Sequence, residues 1–230
     1  MRVALVTVGD ELLSGRTTNT NAAWLGERLH ERGVRVERVI VVPDRVADIA
    51  AVVNVARARY DAVIVTGGIG PTHDDVTMEA VAAAFGRELA TDERVVERLT
   101  EEGGYAREDL VEGTADIPVG ARPLFNEVGV APGAVVESVY VLPGVPDEMR
   151  GMFESVADEF DGERRHAERL VVDEPESALL DRFETLRERF EVSVGSYPGE
   201  FVTVRIEGDD REEVKRAAAW LGDRSTLVKR

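Results

Sequence analysis

Residues 61–77 read Asp-Ala-Val-Ile-Val-Thr-Gly-Gly-Ile-Gly-Pro-Thr-His-Asp-Asp-Val-Thr, and this order decides the fold. The opening run is nearly all apolar and β-branched, as in a strand buried on both faces. Gly67, Gly68 and Gly70 then let the backbone turn sharply and approach a ligand closely. A helix is predicted from about residue 77 to 85. Strand, glycine turn and helix together make the repeating unit of an α/β sheet, and the amides at the helix start suit an anion.

The same alternation extends outward in both directions. Residues 2–8 form an apolar strand, and 20–32 a helix with Ala22, Leu25 and Leu29 on one face, ended by Gly33. Residues 34–42 are β-rich, and 46–59 are helical by the spacing of Val46, Ile49, Ala50 and Val53. Beyond the central unit, residues 91–102 are predicted helical with Thr91 or Asp92 as cap, and 125–133 as loop. Two short strands follow at 134–136 and 140–142. A Pro-Gly turn then precedes a helix with Met149, Met152, Phe153, Val156 and Phe160 on one side. The expected architecture is three-layer α/β with a mostly parallel sheet.

The pattern changes after a polar linker at residues 161–166. Strand, helix, two alternating strands and helix are predicted at 170–172, 176–189, 192–196, 202–207 and 211–221. That is a small α+β unit with one open sheet face, so the domains are expected at 1–165 and 166–230.

Composition limits the partners. The 230 residues carry 45 acids against 28 bases, a net charge of −17, with hydrophobic residues at 43% to build a core. Such acidity argues against nucleic acid or an anionic membrane. Cysteine is absent, which excludes disulfides and thiolate sites. No apolar run reaches membrane-spanning length and no signal-peptide pattern opens the chain, so a cytoplasmic location is expected. Only Lys215 and Lys229 are lysine. Acid excess with little lysine fits a salt-adapted, halophilic surface, although a GC-rich genome alone would account for the arginine.

Four segments carry chemistry, each at a predicted strand end. In the first, Gly67, Gly68 and Gly70 cradle phosphate, and Thr72 and Thr77 offer hydroxyls to it. Asp74 and Asp75 beside a phosphate cradle call for a divalent cation with oxygen ligands, magnesium above all. A plain capped turn is the bland alternative, and the twelve-residue order outweighs it. The second segment runs from Gly9 to Asn21, with Asp10, Glu11, Ser14 and Asn21 as candidate contacts to a sugar, base or pterin; Asn19 or Thr20 doubles as a helix cap. The third is Val42-Pro43-Asp44-Arg45, where Asp44 is either a cap or a catalytic partner of Asp75 across the crevice. In the fourth, Gly144 can present its backbone and Glu148 can orient a ligand. His30, His73 and His166 have no zinc-binding spacing.

Taken together, the segments GDELLSG, NTN, VPD, TGGIGPTHDDVT, NEVGVAPG and LPGVPDEM resemble the molybdopterin-binding-like family of MogA and MoaB. They are most similar to the N-terminal domain of CinA proteins, and TGGIGPTHDDVT is also close to a segment of eukaryotic FAD synthases. Residues 166–230 resemble CinA's small KH-like second domain without the GxxG loop of RNA-binding KH domains. The resemblance implies a site at the strand C-terminal ends, with Asp44 and Asp75 matching positions considered catalytic in molybdopterin adenylyltransferases. It also implies, from the CinA and FAD-synthase branches, metal-dependent cleavage of a pyrophosphate in ADP-ribose-like or FAD-like dinucleotides. CinA's amidohydrolase domain has no counterpart in these residues, so nicotinamide mononucleotide hydrolysis is not expected. Asp74 stands where the molybdenum-cofactor enzymes carry a basic residue, which favours metal binding and hydrolysis. The alternatives are molybdopterin adenylyl transfer and a non-catalytic nucleotide- or pterin-sensing module. A homo-oligomer is expected, since crevices in such small domains are often completed by a neighbour.

Overall fold

The computed structural model describes every residue except 102, 104, 105, 107–109, 112, 164, 229 and 230. The chain divides into two compact units, Met1–Gly162 and Glu163–Arg230.

The first unit is a six-stranded sheet between two helical layers. Its strands are β1 (Arg2–Val8), β2 (Arg35–Val42), β3 (Ala62–Thr66), β6 (Arg122–Leu124), β7 (Gly133–Val136) and β8 (Val139–Leu142), in the order β2-β1-β3-β8-β7-β6. The first four run parallel, and β7 is antiparallel to both its neighbours. Alternation along β1 divides the core. Val3 and Leu5 face the layer of α2 (Thr20–Glu31) and α6 (Pro146–Val156), where they meet Leu25, Leu29, Met149 and Phe153. Ala4, Val6 and Val8 face α3 (Val46–Arg57) and α4 (Thr77–Ala84), where they meet Ile49, Val53 and Val81. Phe153 is fully buried, and truncating such a side chain to alanine costs about 3–5 kcal/mol.

Local signals set the helix boundaries. The Asn19 side chain caps α2 by accepting from the Ala22 amide over 3.1 Å. Gly33, at φ +75°, ends it in the left-handed conformation that favours glycine. Pro146 occupies the first turn of α6. The helix expected at 91–102 is α5, Glu93–Glu101, within the described residues; Asp92 binds the Arg94 amide at its start, while Thr91 ends a short strand, β4 (Leu89–Thr91). β4 pairs with β5 (Asp116–Pro118).

A register skip shapes the sheet's outer edge. Val3 pairs with Val36 but Ala4 with Arg38, so Glu37 is an extra residue on β2. This bulge reverses which side the rest of the strand presents.

The connections create a crevice. β1 and β3 are neighbours, yet the chain leaves β1 for α2 on one face and β3 for α4 on the other. Such a switch point, at the C-terminal ends of parallel strands, is where open α/β sheets bind ligands.

The second unit is an antiparallel sheet, β10 (Ser193–Tyr197), β11 (Val202–Gly208) and β9 (His166–Val172), in the order β10-β11-β9. Two helices, α7 (Leu180–Arg189) and α8 (Arg211–Gly222), complete it. Val202, Val204 and Ile206 of β11 face the helical core with Phe183, Leu186, Val214 and Leu221; Thr203, Arg205 and Glu207 lie on the other face. The expected linker ends sooner than predicted, because His166 opens β9. That half of the strand is exposed and carries no apolar pattern.

Candidate functional site

The glycine loop is built by contact. Gly67 has φ +103° and Gly68 +65°. A Cβ on Gly67 would overlap the Val8 carbonyl, and one on Gly68 would lie 2.6 Å from the Thr77 hydroxyl. Thr77 holds this turn shut: its amide donates to the Gly68 carbonyl over 2.9 Å and its hydroxyl to the Gly67 carbonyl over 2.8 Å. Thr77 is fully buried, so its hydroxyl is spent on the loop and does not reach a phosphate as expected. By contrast, the amides of Gly68, Ile69 and Gly70 donate to no described residue. Three successive amides without a described partner, at and just after the left-handed turn of Gly67 and Gly68, make an anion-binding concavity.

Two clefts flank the loop. The first, about 110 Å³, is lined by Thr7, Glu11, Asn21, Gly67 and Gly144 among others, with neither lysine nor arginine. Asn21 donates to the Gly144 carbonyl over 2.7 Å, which ties the start of α2 to the loop after β8. Gly144 passes so close to Gly67 that a Cβ would lie 3.2 Å from its Cα. The Asn21 Oδ1 atom is buried without a partner. The second cleft, about 210 Å³, is lined by Gly70, Thr72, Asp75, Glu79, Thr114 and Asp116 among others.

Carboxylates crowd the crevice mouth. Asp44 follows β2 and accepts from the Asp10 amide over 2.8 Å. Asp10 and Glu11 form the first turn of a short helix, α1 (Asp10–Leu13), in a stretch the sequence reading left as loop. Burial raises the Asp44 pKa, the Asp10 amide opposes this, and the charges of Asp10, Glu11 and Asp74 raise it further.

The paired role expected of Asp74 and Asp75 divides in two. Asp74 belongs to the set around Asp44, and its own pKa is lowered, first by the Thr72 hydroxyl. Asp75 turns back to accept from the amide and hydroxyl of Thr72 and faces the second cleft. Among the described residues no three His, Asp or Glu side chains group closely enough to hold a metal by themselves.

Two other candidates act on the protein itself. Ser14 donates to the Glu11 carbonyl and accepts from Arg16, lining neither cleft. Glu148 accepts from Asn126 over 2.7 Å and packs against Gly129, so it steadies the loop after β6. Asn126, whose segment the sequence singles out without giving this residue a role, organises that loop: it accepts from the amides of Val128 and Gly129 and donates to the Ala131 carbonyl. An Asn followed three residues later by Gly was the available signal. Thr114 and Asp116 were also missed, since their stretch carries no periodicity.

Comparison with known proteins covers the first unit and beyond. The family described as "Probable molybdopterin binding domain" matches residues 4–161. A protein of Archaeoglobus fulgidus is 40% identical over 219 residues, 94% of this chain and 95% of its own length. A CinA-like protein of Frankia casuarinae is 46% identical over 165 residues, which is 66% of this chain and 38% of that longer protein. The crystal structure of CinA from Thermoplasma acidophilum, described as of unknown function, covers 69% of this chain and 97% of its own at 38% identity and TM-score 0.64. No helix among the described residues is long and apolar enough to cross a membrane. The chain therefore belongs to the family of probable molybdopterin binding domains.

Proposed function

We propose that the first unit is a metal-dependent pyrophosphatase that hydrolyses ADP-ribose-like or FAD-like dinucleotides. The observation that carries this reading is the pairing of three free amides, Gly68 to Gly70, with crowded carboxylates around Asp44. The amides suit a diphosphate. The carboxylates would repel one unless a cation lay between. Magnesium fits this donor set, because it takes one or two carboxylates and completes its shell with water and phosphate oxygens. Asp44 with Asp74 or Asp10 would hold it, and it would supply charge neutralisation and a more acidic water.

The chain's own groups supply the rest. The loop amides hold the diphosphate and stabilise charge that builds on the phosphoryl oxygens. Whichever of Asp10 and Asp74 does not hold the cation accepts the proton of the attacking water. Water oxygen bonds to phosphorus, the bridging P–O bond breaks, and the leaving phosphate takes the pair. ADP-ribose thus yields AMP and ribose 5-phosphate. The first cleft's hydroxyls and Asn21 contact the nucleoside.

The family match favours a second reading, molybdopterin binding with adenylyl transfer. One assay separates them: the protein is incubated in high salt with ADP-ribose, FAD or adenylated molybdopterin, with and without Mg²⁺, and the products are chromatographed. AMP released from ADP-ribose or FAD, and lost in Asp44→Asn, supports hydrolysis. Turnover of the pterin alone supports transfer. Tight binding without product in every arm points to a sensing module and overturns both.

A further inference from the structure

We propose that the groove between β2 and α3 docks an extended peptide segment of another protein, carrying apolar and acidic residues on one strand face, as an added strand on β2. β2 is the outermost strand of its sheet and pairs only with β1. Its other edge therefore offers the outward-pointing N–H and C=O groups of alternate residues, in unbroken register over residues 38–42 beyond the bulge at Glu37, with no proline among them. After the bulge at Glu37, Arg38 and Ile40 share the side of the sheet that α3 covers.

The space beside that edge is a groove of about 410 Å³ lined by Arg38, Val39, Ile40, Val52, Val55 and Arg59 among others. Val39 and Val55 are 51% and 54% exposed, although each is an aliphatic side chain on a regular element. An edge strand beside a helix, with apolar lining between them, is the geometry of strand addition. Main-chain hydrogen bonds to the edge give affinity, and alternate side chains enter the groove.

Charge identifies the occupant. The side chains of Arg38 and Arg59 form no ion pair or hydrogen bond with any described residue, on a chain with 45 acids to 28 bases. They leave the groove's rim positive where most of the surface is negative. A second copy docking about a twofold axis would set these arginines against themselves. A nucleic acid would find one aromatic side chain, Tyr60, in an otherwise aliphatic lining, and a chain of net charge −17. A peptide with apolar residues for the floor and carboxylates for the two arginines satisfies all three features.

The test is fluorescence anisotropy of a fluorescein-labelled eight-residue peptide in which threonine alternates with valine and glutamate in turn, so that valine and glutamate share one face, titrated with the full chain. Comparison peptides replace glutamate by lysine, or carry N-methyl groups on alternate amides. Saturable binding is expected for the glutamate peptide and absent for the other two. Val55→Asp and Arg59→Glu, both at exposed positions, should each weaken it roughly tenfold or more while the circular dichroism spectrum is unchanged. The proposal is overturned by no saturable binding, by equal binding of the lysine peptide, or by indifference to both substitutions. It is equally overturned if light scattering shows a dimer that Val55→Asp dissolves, since a second copy would then occupy the groove.

Discussion

The Thr77 hydroxyl donates to the Gly67 carbonyl over 2.8 Å, ten residues back along the chain, and is buried there. This bond fixes the curvature of the loop whose amides we propose to hold the diphosphate. Thr77→Val keeps the shape but leaves a buried carbonyl unsatisfied, so it should cost about 1–3 kcal/mol in urea unfolding. Thr77→Ser retains the donor and should lose clearly less. Equal losses in the two variants would show that the methyl group, not the hydroxyl, holds the turn.

Asp44→Asn should separate stability from activity. A raised carboxylate pKa contributes stability that is complete below the ordinary carboxylate range and is lost as pH rises through the folded value. At neutral pH the charged Asp44 therefore weakens the fold, and asparagine, which still accepts from the Asp10 amide, should raise Tm while abolishing turnover. Differential scanning calorimetry at pH 5 and pH 8 checks the sign: the gain should be larger at pH 8.

Magnesium should stabilise the wild-type chain. A cation at 100 times its Kd adds about 2.7 kcal/mol to a fold that binds it only when native. The Tm increment on adding Mg²⁺ should shrink or vanish in Asp44→Asn and persist in Asp75→Asn, because Asp75 turns away to Thr72. An increment lost equally in both variants would place Asp75 in the cation site after all.

In the second unit, Glu174 receives two hydrogen bonds from Arg182 and one from the Thr226 amide, and its pKa is lowered to about 2. A depressed carboxylate pKa gives stability that is present above the ordinary value and lost as pH falls through the folded one. The protection factor of the Thr226 amide, its exchange rate relative to the free-peptide rate at the same pH, should therefore fall between pH 4.5 and pH 2. Glu174→Gln should bring faster exchange already at neutral pH and a flatter response to acid.

The net charge of −17 leads to a fifth expectation, independent of any single residue. Self-repulsion is screened by salt, so thermal unfolding followed by circular dichroism should move to higher temperature in molar KCl than at low ionic strength. An unchanged or lower Tm in KCl would leave codon usage as the account of the arginine-rich composition.

How much of this was readable beforehand depends on the length of each pattern. β1, β3 and β8 were legible because their residues are nearly all apolar, β2 because its second half is, and α2, α3 and α6 because their buried faces recur at helical spacing. Four residues of α1 are too few to show a period. β5 and β6 have three residues each and contain Pro118 and Pro123, which local reading assigns to loop. At the site, the glycines and acids announced themselves by type. Their division of labour did not, because adjacent residues in a turn point apart according to backbone angles that no composition records. Asp74 and Asp75 look alike in sequence, yet Asp74 adds to the charge felt by Asp44 while Asp75 accepts the Thr72 amide and faces the second cleft. Thr77 likewise reads as a free hydroxyl until the loop closes over it.

The pairing of Val63 with Val139 and Thr66 with Leu142 also sets a schedule for synthesis. β3 leaves the ribosome about 75 residues before β8, and at typical elongation rates its outer edge waits roughly 4–15 s for a partner. During that interval the nascent chain carries an apolar strand, fully buried in the finished protein, with one side open. The interval is a window for strand-to-strand association between neighbouring polysomal chains, and it closes only when β8 docks.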